Sequence, residues 1–149
     1  MKTNDKYRVV LDTNQIVGAG SRWIDPVLIV ESNKAIKLIK AVAREHTGLY
    51  SGKIMGEYIE KLIDLGHPPK RVERYIGLLL GAFERVKVTS KECSPMPSDL
   101  DDVIFLLCAI DGSANLLVSD DKHLLALKSD YSNFKIMNQG EATVELSLL

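Results

Sequence analysis

Short apolar, β-branched runs alternate along this chain with longer stretches whose apolar residues recur at helical spacing. The first run, residues 7–12, predicts a buried strand whose C-terminal end delivers Asp12. Further short strands are predicted at residues 49–51, 85–88, 116–118 and 134–137. Because strands that alternate with helices pair in parallel under helical layers, we predict a three-layer α/β/α fold with a mainly parallel central sheet. With 149 residues, the chain fits one domain spanning residues 1–149.

Helix boundaries are predicted from residues that cap or break helices. Asp25-Pro26 marks the start of the first long helix, and Gly48 closes it. The next helix ends near Gly66, and Pro68-Pro69 begins another. Two further helices are predicted at residues 99–110 and 121–128, whereas the chain from Glu141 onward is a weakly determined tail.

Composition and charge exclude several classes of protein. A net charge of -1 gives no overall basic footprint, so any contact with nucleic acid must come from a local patch or from bound cations. The start of the chain lacks the apolar stretch of a signal peptide, and the longest apolar segment, residues 76–83, is too short to span a bilayer. Cys93 and Cys108 are far apart and are expected to be free thiols. We therefore expect a cytoplasmic protein that does not bind membranes.

Four carboxylates occupy positions from which they can meet. Asp12 and Asp121 follow predicted strands, Asp102 lies in the first turn of a helix, and Glu57 lies about one turn into another. In open α/β sheets, functional groups collect at the carboxyl ends of the strands. Each aspartate also has a structural explanation, as a turn residue, a helix cap or a partner of the helix dipole. Their joint occurrence is what favours a shared site.

Gathering these acids requires a counter-charge. Two like charges about 4 Å apart repel by roughly 4 kcal/mol at an effective dielectric of about 20. Hard oxygen ligands favour Mg²⁺ or Mn²⁺, and His46, His67 and His123 are scattered and expected at the surface, although His123 falls close to Asp121. Such cations lower the pKa of a bound water and stabilise a leaving oxyanion. The pattern therefore predicts metal-dependent hydrolysis of phosphodiesters that leaves a 5′-phosphate.

Four segments resemble the motifs of PIN-domain nucleases. Val-Val-Leu-Asp-Thr-Asn at residues 9–14 resembles the opening motif, and Ser-Gly-Lys-Ile-Met-Gly-Glu at residues 51–57 the second. Asp-Leu-Asp-Asp at residues 99–102 is similar to the third, and residues 117–125 are similar to the fourth. The order matches over nearly the whole chain. The chain is most similar to the VapC-type endoribonuclease toxins of type II toxin-antitoxin systems.

This resemblance implies roles for individual residues. It makes Asp12, Glu57, Asp102 and Asp121 the catalytic ligands of one or two metal ions. The supporting residues that it implies are Ser119, which orients the site, and Thr13 and Asn14, which brace the first acid. A glycine commonly precedes the fourth acid, whereas Asp120 stands here, so Asp120 is an alternative or additional ligand. Asp99 and Asp101 similarly leave the third position open by one turn.

Basic residues near the motifs are candidates for RNA contacts. Lys70, Arg71 and Arg74 lie off the apolar stripe of their helix, and together with Lys53 and Lys122 they could touch phosphates. The alternative is an ordinary solvated helix face. The resemblance also implies an antitoxin protein as a partner, and a homodimer.

Three further interpretations remain open. The stripe of Tyr75, Leu79 and Phe83 serves either a dimer face or the core. A haloacid-dehalogenase phosphatase also places an aspartate after its first strand, but its D-x-D-x-T pattern fails at Asn14. A PIN fold without catalytic activity, acting as an RNA-binding or scaffold module, is the other alternative.

Overall fold

The central sheet is built from five parallel strands. The computed structural model describes residues 6–20 and 33–148 of the chain. Within these ranges the strands are β1 (Arg8–Leu11), β2 (Thr47–Tyr50), β3 (Glu84–Arg85), β4 (Leu116–Val118) and β5 (Lys135–Met137). Their order in the sheet is β3-β2-β1-β4-β5, and every neighbouring pair runs parallel. The predicted parallel sheet is confirmed.

Helices connect the strands and cover the sheet. They are α1 (Thr13–Ala19), α2 (Lys34–Glu45), α3 (Gly52–Asp64), α4 (Pro69–Ala82), α5 (Val103–Asp111), α6 (Lys122–Leu125) and α7 (Gln139–Glu145). A single 3-10 turn, Leu100–Asp102, precedes α5. Helix α5 packs against β1, β2 and β4, while α1 packs against α2 and α3. This arrangement confirms the predicted three-layer α/β/α fold. No helix in the described parts of the chain has both the length and the apolar character that spanning a membrane requires.

Helix α1 directly follows β1. The sequence analysis did not predict it. The Asp12 side chain caps it by accepting a hydrogen bond from the backbone N–H of Gln15. Two buried tyrosines secure this segment, because the Tyr58 hydroxyl donates to the Leu11 carbonyl at 2.6 Å and the Tyr75 hydroxyl donates to the Ile16 carbonyl at 2.8 Å. The position of Asp12 is thus fixed by contacts from α3 and α4.

Several predicted boundaries differ from the structure. The helix start at Asp25-Pro26 lies outside the described residues, and α2 is capped by Asn33. The prediction that Gly48 closes this helix is wrong, because Gly48 lies inside β2, where an added Cβ atom would meet the Phe83 ring at 2.7 Å. The predicted tail is also wrong, since α7 forms there behind a capping box of Asn138 and Glu141.

Other predicted elements are shorter than expected. The strand predicted at residues 85–88 is Glu84–Arg85, and the helix at 121–128 is Lys122–Leu125. The helix at 99–110 begins instead as the 3-10 turn. Tyr75, Leu79 and Phe83 are buried in the core. Both cysteines are free and buried, as predicted.

Polar residues follow four of the five strands at their carboxyl ends. Asp12 follows β1, Ser51 follows β2 and caps α3, Ser119 follows β4, and Asn138 follows β5. Because the strands are parallel, these residues lie along the same edge of the sheet. The candidate site is built on this edge.

Candidate metal centre

Asp12 is the most deeply buried of the four predicted acids. Only 4% of its surface is exposed. Its Oδ1 accepts the Gln15 backbone N–H at 3.2 Å, and its Oδ2 accepts the Ser119 hydroxyl at 2.5 Å. Burial raises the pKa of Asp12 to about 6, although the hydrogen bonds from Ser119 and Gln15 lower it and the nearby charge of Asp120 raises it further. The fold therefore holds this carboxylate where its charge is costly.

Ser119 links the first and fourth motifs. Its hydroxyl donates to Asp12 and accepts the backbone N–H of Asp121 at 2.9 Å. The serine is fully buried just beyond β4, the strand beside β1. One hydroxyl group thus ties Asp12 to the segment that carries Asp121.

Glu57 reaches the same region from helix α3. Its Oε2 accepts a close hydrogen bond from the hydroxyl of Thr13, the residue that follows Asp12. The carboxylate of Glu57 is half-buried. Thr13 was expected to brace the first acid and instead contacts the second, while Asn14 is exposed to solvent. The structure therefore connects Glu57 and Asp12 through Thr13.

Asp102 lies at the end of the 3-10 turn and faces the other acids. Asp102 is 8% exposed, and its Oδ2 has no hydrogen-bond partner among the described residues. Burial raises the pKa of Asp102 to about 7, with further increases from the charges of Asp121, Asp99 and Asp12. Of the three aspartates that the third motif offers, Asp101 is exposed and Asp99 is half-buried, so Asp102 is the one that faces inward.

Asp121 and Asp120 have different surroundings. Asp121 is half-buried, caps α6 by accepting the His123 backbone N–H at 2.7 Å, and interacts electrostatically with Asp102. Asp120 is exposed, and its two oxygens accept the Gln15 side-chain amide at 3.1 Å and the Gln139 backbone N–H at 3.0 Å. The geometry therefore favours Asp121 as the fourth member of the cluster.

His123 also belongs to this cluster. All three histidines are partly exposed, as expected of residues near the surface, but His123 lies beside the acids. Ligand atoms of Asp99, Asp102 and His123 all lie within 4.8 Å of one another. The sequence analysis noted that His123 falls close to Asp121 but did not predict it as a ligand.

These donor groups fit a divalent cation. Burial raises the pKa values of Asp12 and Asp102, and the charges of neighbouring aspartates raise them further. The unpartnered Oδ2 of Asp102 offers a buried lone pair without a proton donor. Hard oxygen donors of this type are the ligands of Mg²⁺ and Mn²⁺. A bound cation would satisfy both features.

Comparison with known proteins identifies the family. The sequence pattern of the PIN domain family matches residues 8–123, a stretch that contains Asp12, Glu57, Asp102 and Asp121. The chain belongs to the PIN domain family. PIN domains are a nuclease family, so hydrolysis of nucleic acid is the general activity that this membership supports. Among curated proteins, no significant sequence match was found.

Two solved structures share the fold of this PIN domain. VapBC2 from Rickettsia felis, bound to a DNA fragment from its promoter, is similar with a TM-score of 0.58 and 15% identity, over 88% of this chain and 98% of the other. PAE2754 from Pyrobaculum aerophilum is similar with a TM-score of 0.51 and 15% identity, over 97% of this chain and 100% of the other. At this identity, both likenesses concern the fold alone.

A groove lined by apolar side chains and four cations lies beside the turn that carries Asp102 and the start of α3. Its volume is about 1040 Å³, and it lies between the start of α3, residues 85–91 and residues 100–107. The cations on its lining are Lys53, Arg85, Lys87 and Lys91, and no carboxylate lines it. Of these, only Lys53 was predicted.

The other predicted RNA-binding residues lie elsewhere. Lys70, Arg71 and Arg74 are exposed on α4 and do not line the groove. Lys122 is exposed at the start of α6, next to Asp121. The structure thus brings Lys53 and Lys122 near the acidic motifs and keeps the α4 cations on a separate helix.

Proposed function

We propose that this PIN domain is a metal-dependent endoribonuclease that hydrolyses RNA phosphodiester bonds. Asp12, Glu57, Asp102 and Asp121 would hold Mg²⁺ or Mn²⁺. The observation that carries this proposal is the buried Asp102 carboxylate, whose Oδ2 lacks a hydrogen bond and whose pKa is raised by its burial and by the acids around it. A bound cation would offset the repulsion between Asp102 and the acids around it. Among the described residues, no positively charged side chain is hydrogen-bonded to the Oδ2 of Asp102.

The chain's own residues orient the acids for this role. Ser119 fixes one oxygen of Asp12, so the side chain cannot rotate away from the site. Thr13 does the same for Glu57. When bound, a divalent cation in such a site lowers the pKa of a water molecule and neutralises charge on the phosphate that is attacked. Asp120, in this proposal, holds Gln15 and Gln139 in place at the rim of the site and does not act as a ligand.

The basic groove gives the RNA a path to the acids. Phosphate contacts dominate the affinity of proteins for nucleic acids. Ser51, Gly52 and Lys53 line the groove and begin the helix that carries Glu57, so a strand lying in the groove approaches the acids from this side. Lys122 is a further candidate beside Asp121, while Lys70, Arg71 and Arg74 remain predictions that this path does not use.

We further propose that the chain is a toxin of the VapC type, acting on RNA in the cytoplasm. One structural neighbour is a chain from the crystal structure of VapBC2 from Rickettsia felis, and the match covers 98% of that chain. The sequence motifs resemble the same class of proteins. An antitoxin protein and a second copy of the chain are the partners that this assignment predicts.

The proposal is tested by incubating RNA with the purified protein and Mn²⁺, then with EDTA, and then with the Asp12→Asn variant. Cleavage that requires Mn²⁺ and is lost in the variant supports the nuclease. Asp64→Asn is a matched control, because Asp64 is exposed at the C-terminal end of α3 and does not line the groove, so its substitution should leave cleavage intact.

The alternatives give different results in the same assay. A phosphatase releases phosphate from small phosphate esters and leaves RNA uncut. A non-catalytic module binds RNA without cleaving it, whichever cation is added. Either result contradicts the proposal.

A further inference from the structure

We propose that Asp99, Asp102 and His123 form a second cation position, in which an imidazole nitrogen selects transition-metal dications over Mg²⁺. This position shares Asp102 with the carboxylate set described above. The inference deepens the proposed function by assigning a metal preference, and it rests on that function only for its role in RNA cleavage. The binding itself is measured without RNA.

The local backbone explains why these groups converge. A 3-10 helix has 3.0 residues per turn, so residues three apart lie on the same side. Asp99 caps the Leu100–Asp102 turn by accepting the Asp101 backbone N–H at 3.0 Å, which places it on the same side as Asp102. His123 approaches from α6, where its backbone N–H is held by Asp121.

The distances suit a shared ion after a small adjustment. The three ligand atoms lie within 4.8 Å of one another. Two bonds of about 2.1 Å to one metal span at most about 4.2 Å. Asp99 and His123 are only half-buried, so small side-chain rotations can close the set around an ion.

Two buried polar atoms at this position lack hydrogen bonds. Asp102 is more than nine-tenths buried, and its Oδ2 has no partner among the described residues. The Nδ1 atom of His123 is also buried and has no hydrogen bond within the described parts of the chain, although it lies 3.2 Å from the Asp121 Oδ1. Buried polar atoms are nearly always satisfied in folded proteins. A cation bound between these side chains accounts for the unpartnered carboxylate oxygen.

The nitrogen donor decides which cation fits. Mg²⁺ prefers oxygen ligands, whereas imidazole suits the later first-row metals, whose affinities rise from Mn²⁺ to Co²⁺ and beyond. The position proposed above for Asp12, Glu57 and Asp121 would offer oxygen ligands only. We therefore expect Mg²⁺ to compete at the oxygen position and Co²⁺ to occupy both.

The test is a titration of the EDTA-treated, full-length protein with Co²⁺, followed by visible absorption and calorimetry. We expect two Co²⁺ ions per chain, of which one persists in a large excess of Mg²⁺. His123→Ala should weaken the binding of that ion by about tenfold or more, since even changing the residues that hydrogen-bond to metal ligands costs about 10- to 100-fold in affinity. Asp99→Asn, at the start of the 3-10 turn, should weaken the binding of the same ion.

A matched control and a contrary result complete the test. His67→Ala, on the α3–α4 connection, should leave both ions bound, and thermal unfolding checks that each variant is folded. If Mg²⁺ displaces all Co²⁺ from the wild type, or if folded His123→Ala binds Co²⁺ as the wild type does, the proposal is wrong. If the protein binds Co²⁺ at the second position but cleaves no RNA, the proposed nuclease function is wrong and the second cation position stands.

Discussion

Replacing Asp12 by asparagine should stabilise the metal-free protein while removing its activity. The reason is the buried position of the carboxylate, which raises its pKa from 3.8 to about 6. At pH 8 the side chain is ionised in both the folded and the unfolded chain, and the folded chain bears the cost of its charge. Asparagine keeps the shape and one oxygen acceptor but carries no charge.

The size of the effect follows from the pKa. One pKa unit corresponds to about 1.4 kcal/mol, so a rise from 3.8 to about 6 corresponds to about 3 kcal/mol for Asp12. The sign follows from proton binding, because between these two values the folded chain holds a proton that the unfolded chain has lost. For this group, the free energy of unfolding therefore falls as the pH rises from about 4 to about 6. Asp102, with a pKa raised to about 7, contributes in the same direction.

The assay is chemical denaturation of the wild type and of Asp12→Asn in EDTA at pH 8 and at pH 4. We expect the free energy of unfolding of the variant to be higher by about 3 kcal/mol at pH 8, and the difference to vanish at pH 4. In thermal unfolding, the same difference corresponds to a rise in Tm on the order of 6 to 12 °C. Asp111→Asn provides the opposite sign, because hydrogen bonds from Ser90 and Thr89 lower the pKa of Asp111. A variant that is no more stable than the wild type at pH 8 would refute this reasoning.

Three further predictions concern the site, the groove and the fold. Ser119→Ala frees the Asp12 carboxylate, so kcat for RNA should fall by on the order of 10- to 100-fold with little change in KM. Lys87→Gln should raise KM and reduce the salt dependence of RNA binding by about one phosphate contact, whereas neutralising a lysine of α2 should do neither. Gly48→Ala should cost about 1–3 kcal/mol of unfolding free energy in a denaturant titration, because its methyl group meets an aromatic ring. Gly56→Ala, in open space on α3, should not destabilise the protein.

The sheet could be predicted because its strands are local features of the sequence. Residues 116–118 are wholly apolar, and polar residues bound them. Helix α1 could not be predicted in the same way, since it has only seven residues. It depends on Asp12 as a cap and on the distant Tyr75, whose hydroxyl binds its backbone at Ile16. Gly48 was misread for a similar reason, because its role is to make room for Phe83, a contact between distant parts of the chain. Helix α7 did have a local signal, the capping box of Asn138 and Glu141.

The site residues likewise include some that the sequence predicted and some that only the structure distinguishes. The motif order predicted a shared site for Asp12, Glu57, Asp102 and Asp121. The reason is that a parallel sheet brings the carboxyl ends of its strands to one edge. The sequence left the choice between Asp120 and Asp121 open, because only the tertiary contacts of Gln15 and Gln139 engage the Asp120 oxygens.

His123 shows a further limit of sequence reasoning. A lone histidine just after an aspartate is usual in a helix cap, so its sequence context did not indicate a site. Only the turn that carries Asp99 and Asp102, about twenty residues earlier in the chain, brings it into the cluster.

The claim that these acids share a divalent ion is tested most directly by diffraction from crystals of the protein grown with Mn²⁺. The account predicts an anomalous peak at bonding distance from carboxylate oxygens of both Asp12 and Asp102. Well-ordered side chains with no peak between them, or carboxylates that turn away from each other, would contradict it.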